Sequence, residues 1–309
     1  MTGEWVRVAD LDKETWTPAS AALTLERACA AAGLDAKGAQ LMRLGSNAVY
    51  RLAALPVVVR ISRRHVGTQQ ARRAVAVARW LASVDYPAVR ATPVEQPVIV
   101  DGHAVTFWEA LSDDGDEYAS VSEIADILAK LHALEPPPDL ELPAHVPFGN
   151  ARHRIESSTG ISGEDRRFLA ARLVELEQSY AALRFVLPQG VIHGDAGVGN
   201  VLRDRHGVAK LIDLDGFAIG PREWDLALTA IYFDSFGWHT REEYKTFAKV
   251  YGFDIMQWPG YPVMRDVREF LMVTWIAQKS GESERTAQEA AKRIAALRTG
   301  SSRKDWQPY

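Results

Sequence analysis

Cysteine is nearly missing from this sequence: Cys29 is the single thiol among 309 residues. One thiol excludes disulfides within the chain and leaves no cysteine set for a structural zinc site. Cys29 lies in an apolar helical pattern, which predicts a buried, inert group. Long apolar runs are missing as well, and none approaches the roughly 20 residues of a membrane span. The opening stretch, Met1–Trp16, carries acids where a secretory leader needs an apolar core. These absences predict a cytoplasmic chain with no membrane partner. Basic clusters interleaved with aromatics are absent too, and the formal net charge is −4, which argues against a nucleic-acid partner. Internal repeats and low-complexity tracts do not occur. What remains is 47% hydrophobic and 25% charged, enough for one large or two ordinary domains.

The first part reads as strand-rich. Thr17-Pro18 is a helix start, with Gly33 as its stop. Apolar residues flank Gly45-Ser46-Asn47, a strand–turn–strand pattern. Such a turn is often only a turn, but its glycine and freed N–H groups also suit phosphates. Pro56–Ile61 is a further strand on which Arg60 shares a face with Val58 and Ser62. That arginine is either a solvated edge charge or a phosphate ligand. The spacing of Ala71, Ala74, Val75, Ala78 and Leu81 predicts a helix over 68–83, with Arg72, Arg73 and Arg79 on a solvated face. Asp101-Gly102 predicts a tight hairpin turn. The boundary falls near residue 108, giving 1–108 and 109–309.

The second part reads as helical. Helices are expected over 121–134, 163–183, 226–233, 241–251, 263–279 and 284–298, with the chain broken at 135–139 and irregular through Pro143 and Pro147. His132 is expected to cap or pack rather than catalyse. Trp306 or Tyr309 is a candidate anchor for the polar tail.

One stretch stands apart: Val191–Ile219 sets His193, Asp195 and Asn200 in a short loop, then Asp213 and Asp215 at the end of an apolar run. A carboxylate at a buried strand end is costly unless paired or bound to a cation. Magnesium takes oxygen ligands and keeps waters, so Asn200, Asp213 and ATP phosphates would satisfy it. A loop aspartate to orient a hydroxyl completes what phosphoryl transfer asks of a protein. A metallohydrolase would need more histidine ligands than this segment offers.

These residues resemble the aminoglycoside phosphotransferase family of small-molecule kinases. The resemblance is carried by HGDAGVGN at 193–200, LIDLD at 211–215 and GPREWDLA at 220–227. It extends back through LGSNAVYRL, PVVVRIS, VTFWEAL and ADILAKLHAL. It implies an α+β, bilobal protein-kinase-like fold, with an antiparallel sheet in the N-terminal nucleotide-binding lobe and a mostly helical C-terminal lobe. It also implies roles. Asp195 would be the catalytic aspartate and His193 its loop support. Asn200 and Asp213 would hold magnesium, and Arg60 would bind phosphate beneath a loop of Gly45, Ser46 and Asn47. Phe107, Glu109 and Ala110 resemble the segment whose backbone meets adenine, through the Glu109 C=O and the Ala110 N–H. Asp225 resembles an aspartate that braces the catalytic loop.

One departure concerns Arg60. Kinase-like folds pair this cation with a helix glutamate, yet Ala74 stands at the expected place and no glutamate occurs between Ile61 and Val94. The expected activity is ATP- and magnesium-dependent transfer to a hydroxyl of an aminoglycoside or other cationic natural product, hence antibiotic resistance. Asp234, Glu242, Glu243, Asp266 and Glu269 are candidate acids for such a pocket, though a solvated helix face explains the Asp266–Glu269 pair equally. Sugar, choline-like, macrolide or peptide hydroxyls are alternative acceptors. A nucleotide-binding pseudokinase acting as a partner protein is the alternative from another class.

Overall fold

The computed structural model describes residues 16–63, 67–112 and 117–307. They divide into two compact units. The first holds the described residues up to 112 together with 203–208 and 212–215, and the second holds 117–202, 209–211 and 216–307.

In the first unit, helix α1 (Pro18–Ala31) starts where the Thr17 hydroxyl accepts from the Ser20 N–H and Ser20 Oγ accepts from the Thr17 N–H. Pro18 costs nothing there, because its missing N–H would be unpaired in any case. Strands β1 (Gln40–Leu44), β2 (Asn47–Arg51), β3 (Val57–Ser62), β4 (Val98–Val100) and β5 (His103–Glu109) form one antiparallel sheet in the order β1-β2-β3-β5-β4. β3 is therefore central. It alternates buried Val57, Val59 and Ile61 with half-buried Val58, Arg60 and Ser62, as a strand with one face on a core must. Against that core α1 sets Leu25, Ala28 and Cys29. Burial, with the Asp35 carboxylate second, pushes the Cys29 thiol up to about 11, so it stays protonated and unreactive. Helix α2 (Thr68–Ser83) buries Ala74, Val75, Val77, Ala78 and Leu81. The β4–β5 turn holds Asp101 and Gly102 at φ of 49° and 82°, the backbone an Asp-Gly hairpin adopts.

The second unit is mostly helical. Helix α3 (Val121–His132) begins at a Ser120–Glu123 capping box, and α4 (Ala151–Ser157) and α5 (Gly163–Ala181) follow. A short ribbon pairs β6 (Gln189–Ile192) with β9 (Ala218–Pro221) antiparallel, and between them β7 (Val201–Arg203) and β8 (Ala209–Leu211) make a hairpin. Helices α6 (Glu223–Asp234), α7 (Arg241–Tyr251), α8 (Tyr261–Gln278) and α9 (Glu284–Thr299) complete it. α8 is the central pillar, with Val267, Phe270, Val273 and Ile276 buried and α4, α5, α6 and α9 packed around it. Trp306 is fully buried, 5.4 Å from Phe236 and under the Arg293 guanidinium, and so anchors the end of the chain. Tyr309, the other candidate anchor, lies outside the described residues.

The architecture is α+β, as expected, with an antiparallel sheet first and helices after it. Two readings differ. α4 forms where no helix was expected, after the irregular segment around Pro143 and Pro147, and α6 begins at Glu223 rather than Leu226. None of the described helices is long and apolar enough to cross a membrane.

Candidate active site

The candidate residues fall into two groups, one in each unit. In the first unit Arg60 projects from the central strand, paired in register with Val49 on β2 and Thr106 on β5. Its guanidinium donates to Asp213 Oδ1 at 3.0 Å and forms a second, short ion pair with Asp215 Oδ2. With the Asn47 amide oriented by its hydrogen-bond partners, its oxygen accepts from Arg60 Nε at 3.0 Å and Nη2 at 2.7 Å, and its nitrogen donates to the Ser46 carbonyl. The Gly45 N–H donates to the Asn47 carbonyl at 2.9 Å, which closes the turn. A Cβ on Gly45 would meet nothing within 4 Å, so the chain itself makes no demand for glycine there and the space above the turn stays open.

Asp215 therefore supplies the carboxylate that α2 does not. Burial and the neighbouring Asp213 raise the Asp215 pKa, against the pull of Arg60 and Arg73. Burial opposes the Arg60 charge, but the two carboxylates outweigh it and raise the Arg60 pKa. Two carboxylates meet Arg60 directly, and the Arg73 charge also reaches Asp215. Asp213 also has φ of 56°, a left-handed backbone that costs a non-glycine residue of order 1 kcal/mol and tends to persist at functional sites. Arg73, expected on a solvated face, is partly buried, with its Nε enclosed and unpartnered.

The adenine-contact candidates are corrected in part. Phe107 is fully buried, its N–H taken by Gln96 Oε1 at 2.7 Å and its carbonyl by the Thr92 N–H at 3.0 Å. The Ala110 N–H donates to the Pro56 carbonyl at 2.8 Å, so that amide already serves the sheet. The Glu109 N–H turns the other way, to the Arg90 carbonyl, and its own carbonyl leaves the strand on that same side. The Glu109 C=O alone keeps its candidacy.

In the second unit the loop after β6 carries His193, Gly194 and Asp195. Asp225, at the start of α6 and fully buried, accepts from the His193 N–H at 2.7 Å and the Gly194 N–H at 2.8 Å. His132 Nε2 donates to the same carboxylate at 3.2 Å, and its other ring nitrogen meets Tyr251 Oη at 2.7 Å. Burial acts to raise the Asp225 pKa, yet these hydrogen bonds and the histidines outweigh it and lower the value. His193 is fully buried, edge-on to Phe217 at 5.5 Å, and its Nδ1 accepts from the Asp195 N–H. Gly194 has φ of 88°, and a Cβ there would sit 2.6 Å from the Gly216 carbonyl oxygen, while one on Gly216 would sit 2.6 Å from the His193 oxygen. Only glycine permits that approach.

The Asp195 side chain is 69% exposed. The Asn200 Nδ2 donates to its carbonyl at 2.7 Å and to its Oδ2 at 3.2 Å. That use of the nitrogen turns the Asn200 amide oxygen away from Asp195. Arg268 Nη2 lies 3.5 Å from Asp195 Oδ1, Nη1 lies 3.4 Å from the Gly194 carbonyl, and the guanidinium stacks 4.5 Å over the Trp224 ring. Trp224 Nε1 donates to the same carbonyl at 2.8 Å.

The candidate substrate acids are corrected. Asp234 is paired with Arg265 at 3.3 Å, and Asp266 with Arg172 at 3.0 Å and Arg265 at 3.4 Å. Glu269 is buried and paired with Arg303 at 3.0 Å. Glu243 serves the α7 cap, accepting from the Thr240 N–H at 2.7 Å. None of these four is an unclaimed carboxylate. Sequence reasoning missed the part played by Asp215, Gly194, Gly216, Arg268 and Trp224. The motif Leu211–Asp215 held a signal for the first, since its second aspartate has no role in a one-carboxylate metal site.

An exposed aspartate on a braced glycine loop, with a second set of acids gathered on a strand arginine, is the protein side of a phosphoryl-transfer enzyme. The sequence model of the phosphotransferase enzyme family matches residues 41–267. The chain belongs to that family, and it is a phosphotransferase. No curated protein sequence matches it. Among solved structures it is similar to the microcompartment-associated aminopropanol kinase, with TM-score 0.69, 17% identity, and 89% of this chain and 95% of that one covered. It is similar to the spectinomycin phosphotransferase APH(9)-Ia, solved with ADP and spectinomycin, with TM-score 0.63, 14% identity, and 89% and 93% covered. The aminoglycoside phosphotransferase APH(3'')-Id from Streptomyces rimosus gives TM-score 0.58 and 24% identity, with 82% and 98% covered. At these identities the likeness is one of fold.

Proposed function

We propose that this enzyme transfers the γ-phosphoryl group of ATP to a hydroxyl of a small molecule, with magnesium. The observation that carries the reading is Asp195. It is an exposed carboxylate on a loop whose backbone is locked from behind by buried Asp225. Asp195 orients the acceptor hydroxyl and takes its proton as the new O–P bond forms and ADP leaves. Asn200 and Arg268, one on each carboxylate oxygen, keep it aimed until then. Arg60 carries the phosphate charge beneath the Gly45–Asn47 turn, with Ser46 and Asn47 as donors, and the Glu109 C=O meets the adenine amine. Oxygen donors suit magnesium, and Asn200 Oδ1 with Asp213 would hold it. When bound it would neutralise charge on the phosphate oxygens. Asp213, part-exposed and sharing Arg60 with Asp215, supports such a cation.

The pseudokinase reading loses its motive, because Arg60 has a carboxylate partner in Asp215. The cationic-acceptor reading is weakened, because Asp234, Asp266 and Glu269 are paired with arginines and Glu243 caps α7. ADP release and phosphate addition by mass spectrometry, with Asp195→Ala beside the parent enzyme, test the mechanism. Loss of turnover with nucleotide binding retained is expected. Turnover unchanged in that variant rejects it.

A further inference from the structure

The surroundings of Asp195 are basic. Arg268, buried apart from its tip, pairs with it at 3.5 Å. Arg154, on the short helix α4, is the second guanidinium in its electrostatic reach. α4 packs on α8, the helix that carries Arg268. No hydrogen bond or ion pair among the described residues holds the Arg154 guanidinium, although burial disfavours its charge. A part-buried guanidinium without a partner keeps its N–H donors free for a ligand. Carboxylates that would balance it are already engaged. Asp225 lies behind the loop on backbone N–H groups, and Asp234, Asp266 and Glu269 are bound to other arginines. Around Asp195 two positive charges face one negative charge. A polyamine acceptor would enter a site of its own sign.

We propose that the acceptor carries an anionic group, a carboxylate or a phosphate, beside the hydroxyl it presents to Asp195, and that Arg154 binds that group. The inference rests on the reading of Asp195 given above. Arg268 is a positioning residue, fixed over Trp224 and on the Gly194 carbonyl. Arg154 is the specificity-determining residue, and the planar fork of its guanidinium suits either oxyanion.

The test is ADP release by the full chain with ATP and magnesium over matched acceptors. Glycerate and gluconate are the carboxylate arm, and glycerol 3-phosphate and glucose 6-phosphate the phosphate arm. Glycerol and glucose are the neutral controls, and aminopropanol, choline and an aminoglycoside the cationic ones. One anionic arm is expected to exceed its neutral control at least tenfold in kcat/KM, and which arm does so names the group. Arg154→Gln should raise KM for that acceptor at least tenfold with KM for ATP within twofold. Arg154→Glu should move the preference towards the amines. Higher kcat/KM for an amine than for every anion, no turnover of any anion, or an Arg154→Gln loss falling equally on all acceptors overturns the proposal. Asp195→Asn separates this from the mechanism itself. If it keeps its turnover, the Asp195 reading fails whatever the acceptor. If it loses turnover while amines remain preferred, only the anion proposal fails.

Discussion

The two units solve opposite electrostatic problems with the same side chains. In the first, one arginine stands between two aspartates. In the second, one aspartate stands near two arginines. Burial treats them differently as well. Arg60 and Asp215 are each about four-fifths covered, while the Asp195 side chain is 69% exposed. A covered cluster keeps its geometry by mutual pairing. An exposed carboxylate has to be held by its backbone instead, which is what Asp225, Gly194 and Gly216 achieve.

Substitutions can break each arrangement in turn. Asp195→Asn should lower kcat by roughly 10²–10⁴-fold, the usual contribution of a positioned base, with ATP affinity kept, as read by steady-state kinetics and nucleotide titration. Asp225→Ala should cost about 3 kcal/mol in urea unfolding, because it strands two N–H groups at His193 and Gly194. A loss below about 1 kcal/mol would show that the loop holds itself. Asp215→Asn should raise KM for ATP about tenfold, the worth of one charge-assisted bond, and leave stability nearly unchanged. An unaltered KM would mean Asp213 suffices to hold Arg60. The last effect concerns pH. Burial and, second, the Arg268 charge hold His145 near a pKa of about 4, below its ordinary 6.5. Below pH 6.5 the unfolded chain gains a proton that the folded chain refuses until about pH 4. Stability should therefore be full above 6.5 and fall by about 2 kcal/mol across that window, less than the full linkage because the ring is partly exposed. His145→Gln should flatten that limb, and an equal slope in both proteins would assign the acid sensitivity elsewhere.

The elements were legible where the signal was local. Alternation in 57–62, helical spacing over 68–83 and the Asp-Gly hairpin turn at 101–102 each follow from a few neighbouring residues. α4 was not, since a helix of seven residues behind an Asn150 without a cap hydrogen bond gives little periodicity. That omission hid Arg154. Charge partners were hidden for another reason. Asp266 meets Arg172 across 94 positions and Glu269 meets Arg303 across 34, so a pair of acids on one helix face carried no trace of the arginines that neutralise them. The Ala110 amide was misjudged because a hydrogen bond to Pro56 belongs to the sheet register, which side chains specify only indirectly.

The first unit is not a continuous length of chain. Residues 203–208 and 212–215 belong to it, and Arg60 meets Asp213 across 153 positions. During synthesis at about 5–20 residues per second, roughly 8–30 s separate the two residues. Until then the arginine of the central strand lacks both counter-charges. A fragment cut after residue 112 would stay in that unfinished condition permanently, and excision at the apparent boundary would separate Arg60 from the groups that make it useful.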